Sequence, residues 1–259
     1  MPLSRTFAAL VIATVSVVAQ PPAPGRGLAA GHIHLNSADP DAAIAFWKDV
    51  IGTATYTNQS MTGVSTLGVT FLFNRQAPSG PSAGSAIDHV ALKVPDLQPF
   101  SERLAKTGFK SFHPQSDDYR LMIDGPDGVR IELTEDNTMY APLEFSHIHL
   151  YSTNPAEMQA WYVKNLGGRQ GNAENPDTVQ LPGAQLIITK AESAVPSIQR
   201  AIDHLSFEVK DLAAFCGALS ANGVKIDVAP HASPELNATT ALFTDPWGTR
   251  IELMEKAAH

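Results

Sequence analysis

The sequence predicts an α+β protein of four βαβββ modules paired into two half-open barrels, and two spacings carry that prediction. His32-Ile33-His34-Leu35-Asn36-Ser37 returns as His147-Ile148-His149-Leu150-Tyr151-Ser152, and Ala86-Ile87-Asp88-His89 returns as Ala201-Ile202-Asp203-His204. Both copies are displaced by the same interval (147 − 32 = 204 − 89 = 115), the mark of a tandem duplication. A second interval (89 − 32 = 204 − 147 = 57) divides each half again, so four histidines each open one copy of the same pattern.

Each copy begins with a short alternating strand and continues into a helix start signal. Asp39-Pro40 and Asn154-Pro155 place a capping side chain before a proline at the first helical position, while Asp96 and Asp211 cap the even modules. Gly52, Gly108, Gly167 and Gly223 stand where the helices should stop. The β-rich runs that follow, broken by Gly, Pro, Asn and Asp, read as three strands. One helix cannot cover a four-stranded sheet, so modules must pair around a shared concavity. The expected boundaries are a first domain at 31–141, with modules 31–78 and 86–136, and a second at 142–257, with modules 145–192 and 201–256. The even modules close alike, Asp127-Gly128-Val129-Arg130-Ile131-Glu132-Leu133 matching Trp247-Gly248-Thr249-Arg250-Ile251-Glu252-Leu253. Their offset is larger (252 − 132 = 120), so module four carries five extra residues between Lys225 and Asp245, expected in a loop near the site.

Composition agrees with a folded globular chain: 44% apolar, 17% charged, with 18 Gly and 19 Pro spread along its length. A basic start at Met1 to Arg5 and an apolar run from Phe7 to Val18, too short to span a bilayer, read as a signal peptide over residues 1–19 cleaved near Ala19. A proline-rich leader at 20–30 follows, and the expected location is periplasmic or secreted. Losing Arg5 leaves 17 basic against 26 acidic residues (17 − 26 = −9), which disfavours nucleic acid, and no later segment reaches membrane-spanning length. The lone Cys216 cannot form an internal disulfide and reads as a small buried hydrophobe.

A first-strand His, an Asp-capped helix ending at Gly, and a closing strand of the form Pro-x-Gly-x-x-x-Glu-Leu resemble the vicinal oxygen chelate superfamily. That superfamily includes glyoxalase I, extradiol dioxygenases, fosfomycin-resistance transferases and bleomycin-binding proteins. The resemblance runs from Gly31 to Glu255. It implies metal ligands on first and last strands, here His32, His89 and Glu132, then His147, His204 and Glu252. The odd modules hold Leu72 and Ile187 at the last-strand position. Any odd module paired with any even one therefore offers two His and one carboxylate, the facial triad of non-haem Fe(II) sites. Fe(II) or Mn(II) is favoured as cofactor, and Zn(II) and Ni(II) also fit.

His34 and His149 share a strand face with the ligands and are candidate substrate contacts or general bases. Arg130 and Arg250 share a face with their glutamates and could orient them or bind substrate. His231 is a candidate catalytic residue, with His113 its rough counterpart, while Leu242 stands where ring-cleavage enzymes carry a tyrosine. Trp47, Trp161 and Tyr162 read as core. The resemblance implies a metal enzyme acting on a small molecule with vicinal oxygens. Oxygenative ring cleavage is narrowly favoured, a glyoxalase-type lyase or isomerase is the alternative, and a metal-free binding protein the second alternative. The longer loop and Trp247 point to the second half, through His147, His204 and Glu252, as the main site. The expected partner is a small-molecule substrate, and an oligomer is compatible with the sequence.

Overall fold

The structure, a computed structural model, describes residues 27–58 and 61–257, so the expected signal peptide lies outside the described residues. Each module yields four strands and one helix. Module one contains β1 (Ala29–Ser37), α1 (Pro40–Phe46), β2 (Ala54–Asn58), β3 (Met61–Thr66) and β4 (Val69–Arg75). Module two contains β5 (Ile87–Val94), α2 (Gln98–Leu104), β6 (Lys110–Phe112), β7 (Arg120–Asp124) and β8 (Arg130–Glu135). Module three contains β9 (Glu144–Ser152), α3 (Pro155–Leu166), β10 (Arg169–Gln170), β11 (Thr178–Leu181) and β12 (Ala184–Lys190). Module four contains β13 (Ile202–Glu208), α4 (Leu212–Ala221), β14 (Ile226–Ser233), β15 (Ala238–Thr244) and β16 (Arg250–Lys256).

The helix signals act as their chemistry dictates, with one exception. Asp39, Asn154 and Asp211 accept hydrogen bonds from the backbone N–H of Ala42, Glu157 and Ala214, and Gly52 and Gly167 end their helices in the left-handed region. In module two the cap shifts. Asp96 bonds the N–H of Gln98 while Leu97 occupies the capping position, and the helix ends at Leu104, whose carbonyl accepts from the Thr107 hydroxyl well before Gly108. Trp47 and Tyr162 are fully buried and Trp161 packs partly buried against the core, as sequence periodicity implies; Cys216 is buried.

Two eight-stranded sheets form, ordered β14-β15-β16-β13-β1-β4-β3-β2 and β10-β11-β12-β9-β5-β8-β7-β6. The barrels cross the division expected at 141/142, a pairing of modules that the repeat leaves open. Module one pairs with module four, and module two with module three. The central seams are antiparallel, β1 on β13 with His34 opposite His204, and β5 on β9 with His89 opposite His149. The connectors explain the exchange. The segments at 76–86 and 191–201 pair with each other instead of folding their modules back: Ser79 N–H donates to Gln199 O, Ala201 N–H to Gly80 O, and Ala86 N–H to Val195 O. Every even module presents the same first-strand edge, so the repeat alone cannot choose its partner.

Candidate metal centres

In the first barrel the concave face of the β1/β13 seam gathers His32, His34 and His204, and a ring nitrogen of each lies within 4.8 Å of the others. Glu252 on β16 joins them, its Oε1 standing 3.4 Å from His32 Nε2 and accepting a 2.7 Å bond from the Ser206 hydroxyl. The second barrel repeats the arrangement with His89, His147 and His149, and Glu132 Oε2 lies 3.4 Å from His89 Nε2. Each expected histidine and glutamate thus reaches a cluster, but not in the expected combination. His147 lies in the other barrel from His204 and Glu252, because β9 pairs with β5 and not with β13. The trio assigned to the second half is therefore split.

Sequence reasoning missed the aspartates beside the even histidines. Asp203 Oδ1 accepts a 2.6 Å bond from His204 Nδ1, and Asp88 Oδ2 accepts a 2.7 Å bond from His89 Nδ1. A carboxylate on Nδ1 selects the tautomer that turns an unprotonated Nε2 toward the cavity, the arrangement that orients metal-bound histidines. Asp-His recurring unchanged in both halves was the signal; strand alternation argued against it by sending neighbours to opposite faces.

Each aspartate is anchored in turn by the crossing connectors. Gly84 N–H donates to Asp88 and Gln199 N–H to Asp203, at 2.7 and 2.6 Å, and both donors are left-handed, with φ of 77° and 61°. The positions are repeat partners (199 − 84 = 115), so a glutamine adopts the conformation that its counterpart meets with glycine. Arg250 completes the first barrel's network with a 2.9 Å bond to Asp203 Oδ1; it supports the histidine through the aspartate and makes no bond to Glu252. Arg130 turns instead to Asp124 at 2.9 Å.

Burial, then the neighbouring His204, lowers His32 to about 3, and burial with the surrounding rings pushes His34 well below the ordinary imidazole range. Burial likewise lowers His147 to about 4 and His149 to about 3. Burial opposes ionisation of Glu132, yet the hydrogen bond and charge of His89 hold it at about 2. For His89 burial is outweighed by Asp88 and Glu132, and its pKa rises.

These properties fit a divalent metal. His32, His34, His147 and His149 are held as neutral imidazoles and Glu132 as an ionised carboxylate, the forms that ligate. The Nε2 atoms of His32 and His89 are buried with no hydrogen-bond partner, an expensive state for atoms meant only to pack. His34 Nδ1 is hydrogen-bonded to His204 Nε2 at 3.1 Å, and that spacing matches the separation of about 3.0 Å between two nitrogens held side by side at about 2.1 Å from one metal. His149 keeps Nδ1 toward its cluster, since its Nε2 bonds the Thr189 hydroxyl at 2.8 Å.

Other candidates stand apart. His231 is exposed, its Nδ1 on Ala229 O at 3.1 Å, although its register opposite Thr240 puts it on the strand face of Met254, beyond Glu252. His113 is exposed and donates to Arg120 O. Trp247 packs against the core from the turn at the Arg250 end of β16, whereas the cavity beside His32 is lined from the Met254 end, so the expected aromatic contact with substrate is not made there.

The sequence profile of the Glyoxalase/Bleomycin resistance protein/Dioxygenase superfamily matches residues 29–133 and again 144–253. The chain belongs to that superfamily. Its fold is similar to glyoxalase I from Zea mays, with a TM-score of 0.67 at 17% identity, covering 88% of this chain and 92% of that one. It is also similar to a putative dioxygenase from Bacillus subtilis, with a TM-score of 0.63 at 14% identity over 91% and 87% of the two chains. The cppA protein from Streptococcus pneumoniae follows, at 0.52 and 13% over 88% and 98%. Among curated proteins, none matches. These likenesses concern the fold, and superfamily members are mostly, though not all, metal-dependent enzymes.

Proposed function

We propose that the protein is a divalent-metal enzyme acting on a small molecule with two adjacent oxygens, and that its chemistry is proton transfer of lyase or isomerase type. The observation that carries this choice is the 3.1 Å approach of His34 to His204. It makes His34 a fourth protein donor beside His32, His204 and Glu252, filling the role left open by Leu72. Six-coordinate metals would then offer two positions, enough for both substrate oxygens and none for dioxygen, which ring cleavage requires. His149 plays the same part beside His89, His147 and Glu132.

A metal so held would act as a Lewis acid, drawing charge from the substrate's oxygens as a neighbouring C–H proton leaves. The residues must accept and return that proton. His34 and His149, held well below neutrality, are poor acceptors and better ligands. Glu252 has Oε1 engaged by Ser206, and Oε2 is the oxygen left to take the proton. Asp203 and Arg250 hold His204 in place meanwhile.

Metal analysis of anaerobically purified protein tests the reading: two divalent ions per chain are expected, and one after His89→Ala. Exchange of the carbon-bound proton of a small α-hydroxyketone in heavy water, lost in Glu252→Gln, is the expected activity. Oxygen uptake with a catechol would reverse the choice of chemistry, and metal-free protein would remove the enzyme reading.

A further inference from the structure

The two centres share their donors but not their walls. A cavity of about 260 Å³ adjoins His32 in the first barrel; Tyr56, Leu72, Leu236 and Met254 form an apolar side to it, and Thr70 with the Glu208–Lys256 ion pair a polar one. The second barrel differs at the matching positions. Gly171 stands where Tyr56 does (171 − 56 = 115), Thr134 where Met254 does (254 − 134 = 120), and Arg120 on the neighbouring strand reaches within 3.8 Å of Glu132.

Leu236 stands where the second barrel has Ser116 (236 − 116 = 120), each closing a helical turn, Pro234–Leu236 and Pro114–Ser116. The five-residue insertion precedes that turn and lengthens β14 to eight residues where β6 has three, which carries the Leu236 turn further along the sheet edge. Asn237, left-handed at φ 50°, reverses the chain there, and Ala257 N–H donates to its carbonyl, tying the tip to the end of the last strand. Leu236 is half-buried at a hairpin tip, a place where polar residues are usual. Its side chain lines the cavity.

Resting on the metal reading above, we propose that the first barrel selects a substrate whose vicinal oxygens carry a compact apolar group, with Tyr56 and Leu236 as specificity residues. The oxygens face the His32, His34, His204 and Glu252 cluster, and the apolar body lies between Tyr56, Leu72, Leu236 and Met254. The second barrel, with glycine and arginine in its wall, lacks that preference.

Two bidentate oxygen chelators that differ only in body size test this, benzohydroxamate and acetohydroxamate. Calorimetric titration is carried out on Mn(II)-loaded full-length chain in which His89→Ala and His147→Ala silence the second centre. Benzohydroxamate is expected to bind roughly tenfold more tightly, since a ring shielded on one side by two side chains loses on the order of 60 Å² to water. Leu236→Ser and Tyr56→Ser should each erase most of that preference, read as the ratio of the two affinities, with circular dichroism reporting that the variants fold. Equal affinities in the parent chain, or a preference that survives both substitutions, would overturn the specificity assignment with the metal reading intact. Failure of both chelators to bind would overturn the metal reading itself.

Discussion

Replacing Asp203 with asparagine isolates the positioning of His204. The carboxylate accepts four hydrogen bonds: His204 Nδ1 at 2.6 Å and Arg250 at 2.9 Å on Oδ1, then Gln199 N–H at 2.6 Å and Asn36 Nδ2 at 3.3 Å on Oδ2. An amide can satisfy only one side. With its oxygen toward His204, its NH₂ confronts the Gln199 N–H, leaving a buried donor unpaired at a cost of about 1–3 kcal/mol. Turned the other way, it donates to Nδ1 and forces the proton onto Nε2, the nitrogen that faces the cluster. Metal affinity of the first centre should fall about 10–100-fold, or roughly 1.4–2.7 kcal/mol. Competition against a fluorescent chelator, in a chain whose second centre is silenced by His89→Ala, measures this directly. Unchanged affinity with intact folding would refute the assignment of Asp203 as the group that orients His204.

Stability of the metal-free protein should fall as the pH drops from about 6.5 toward 4, by up to about 1.4 kcal/mol per pH unit for each histidine involved. The unfolded chain binds protons on His32, His34, His147 and His149 in that window while the fold keeps them neutral; Asp245, which burial raises to about 6, gains its proton first in the fold and opposes the trend, and His89, whose pKa is raised, alters stability mainly above the window. Urea denaturation between pH 7 and 4 checks the slope, and a flat profile would contradict it. Gln199→Gly should raise stability by about 1 kcal/mol by relieving the left-handed glutamine, seen as a higher melting temperature, whereas Gly84→Ala should lower it by a similar amount. Export with cleavage near Ala19 is expected from the leader chemistry, and intact-mass analysis from the native host decides it; an uncleaved cytoplasmic product would sink the idea.

Much of this architecture was legible because repetition multiplies weak signals. One histidine on a strand says little, but four at intervals of 57 and 115, with glutamates on the closing strands, are enough to pick out residues that meet in the two clusters. Which donors meet was not legible, because module pairing is decided by backbone bonds between two connectors whose own sequences, around Gly80 and Gln199, carry no pairing code. The role of His34 was half legible. Alternation put it on the ligand face, but only its opposition to His204 across the seam makes it a ligand candidate and not a base. Trp247 misled because an aromatic beside a turn can face either way, and the core claimed it.

The exchange of modules between barrels means that neither sequence half owns a centre. A chain cut between Asp136 and Glu144 would leave one fragment with His32, His34, His89 and Glu132, and the other with His147, His149, His204 and Glu252. Each fragment then carries half of both donor sets, and the sheets close only across the cut. On the metal reading proposed above, ion capture by such a severed protein becomes a bimolecular event. It weakens on dilution and returns on mixing, and every bound ion serves as a clasp between the two pieces.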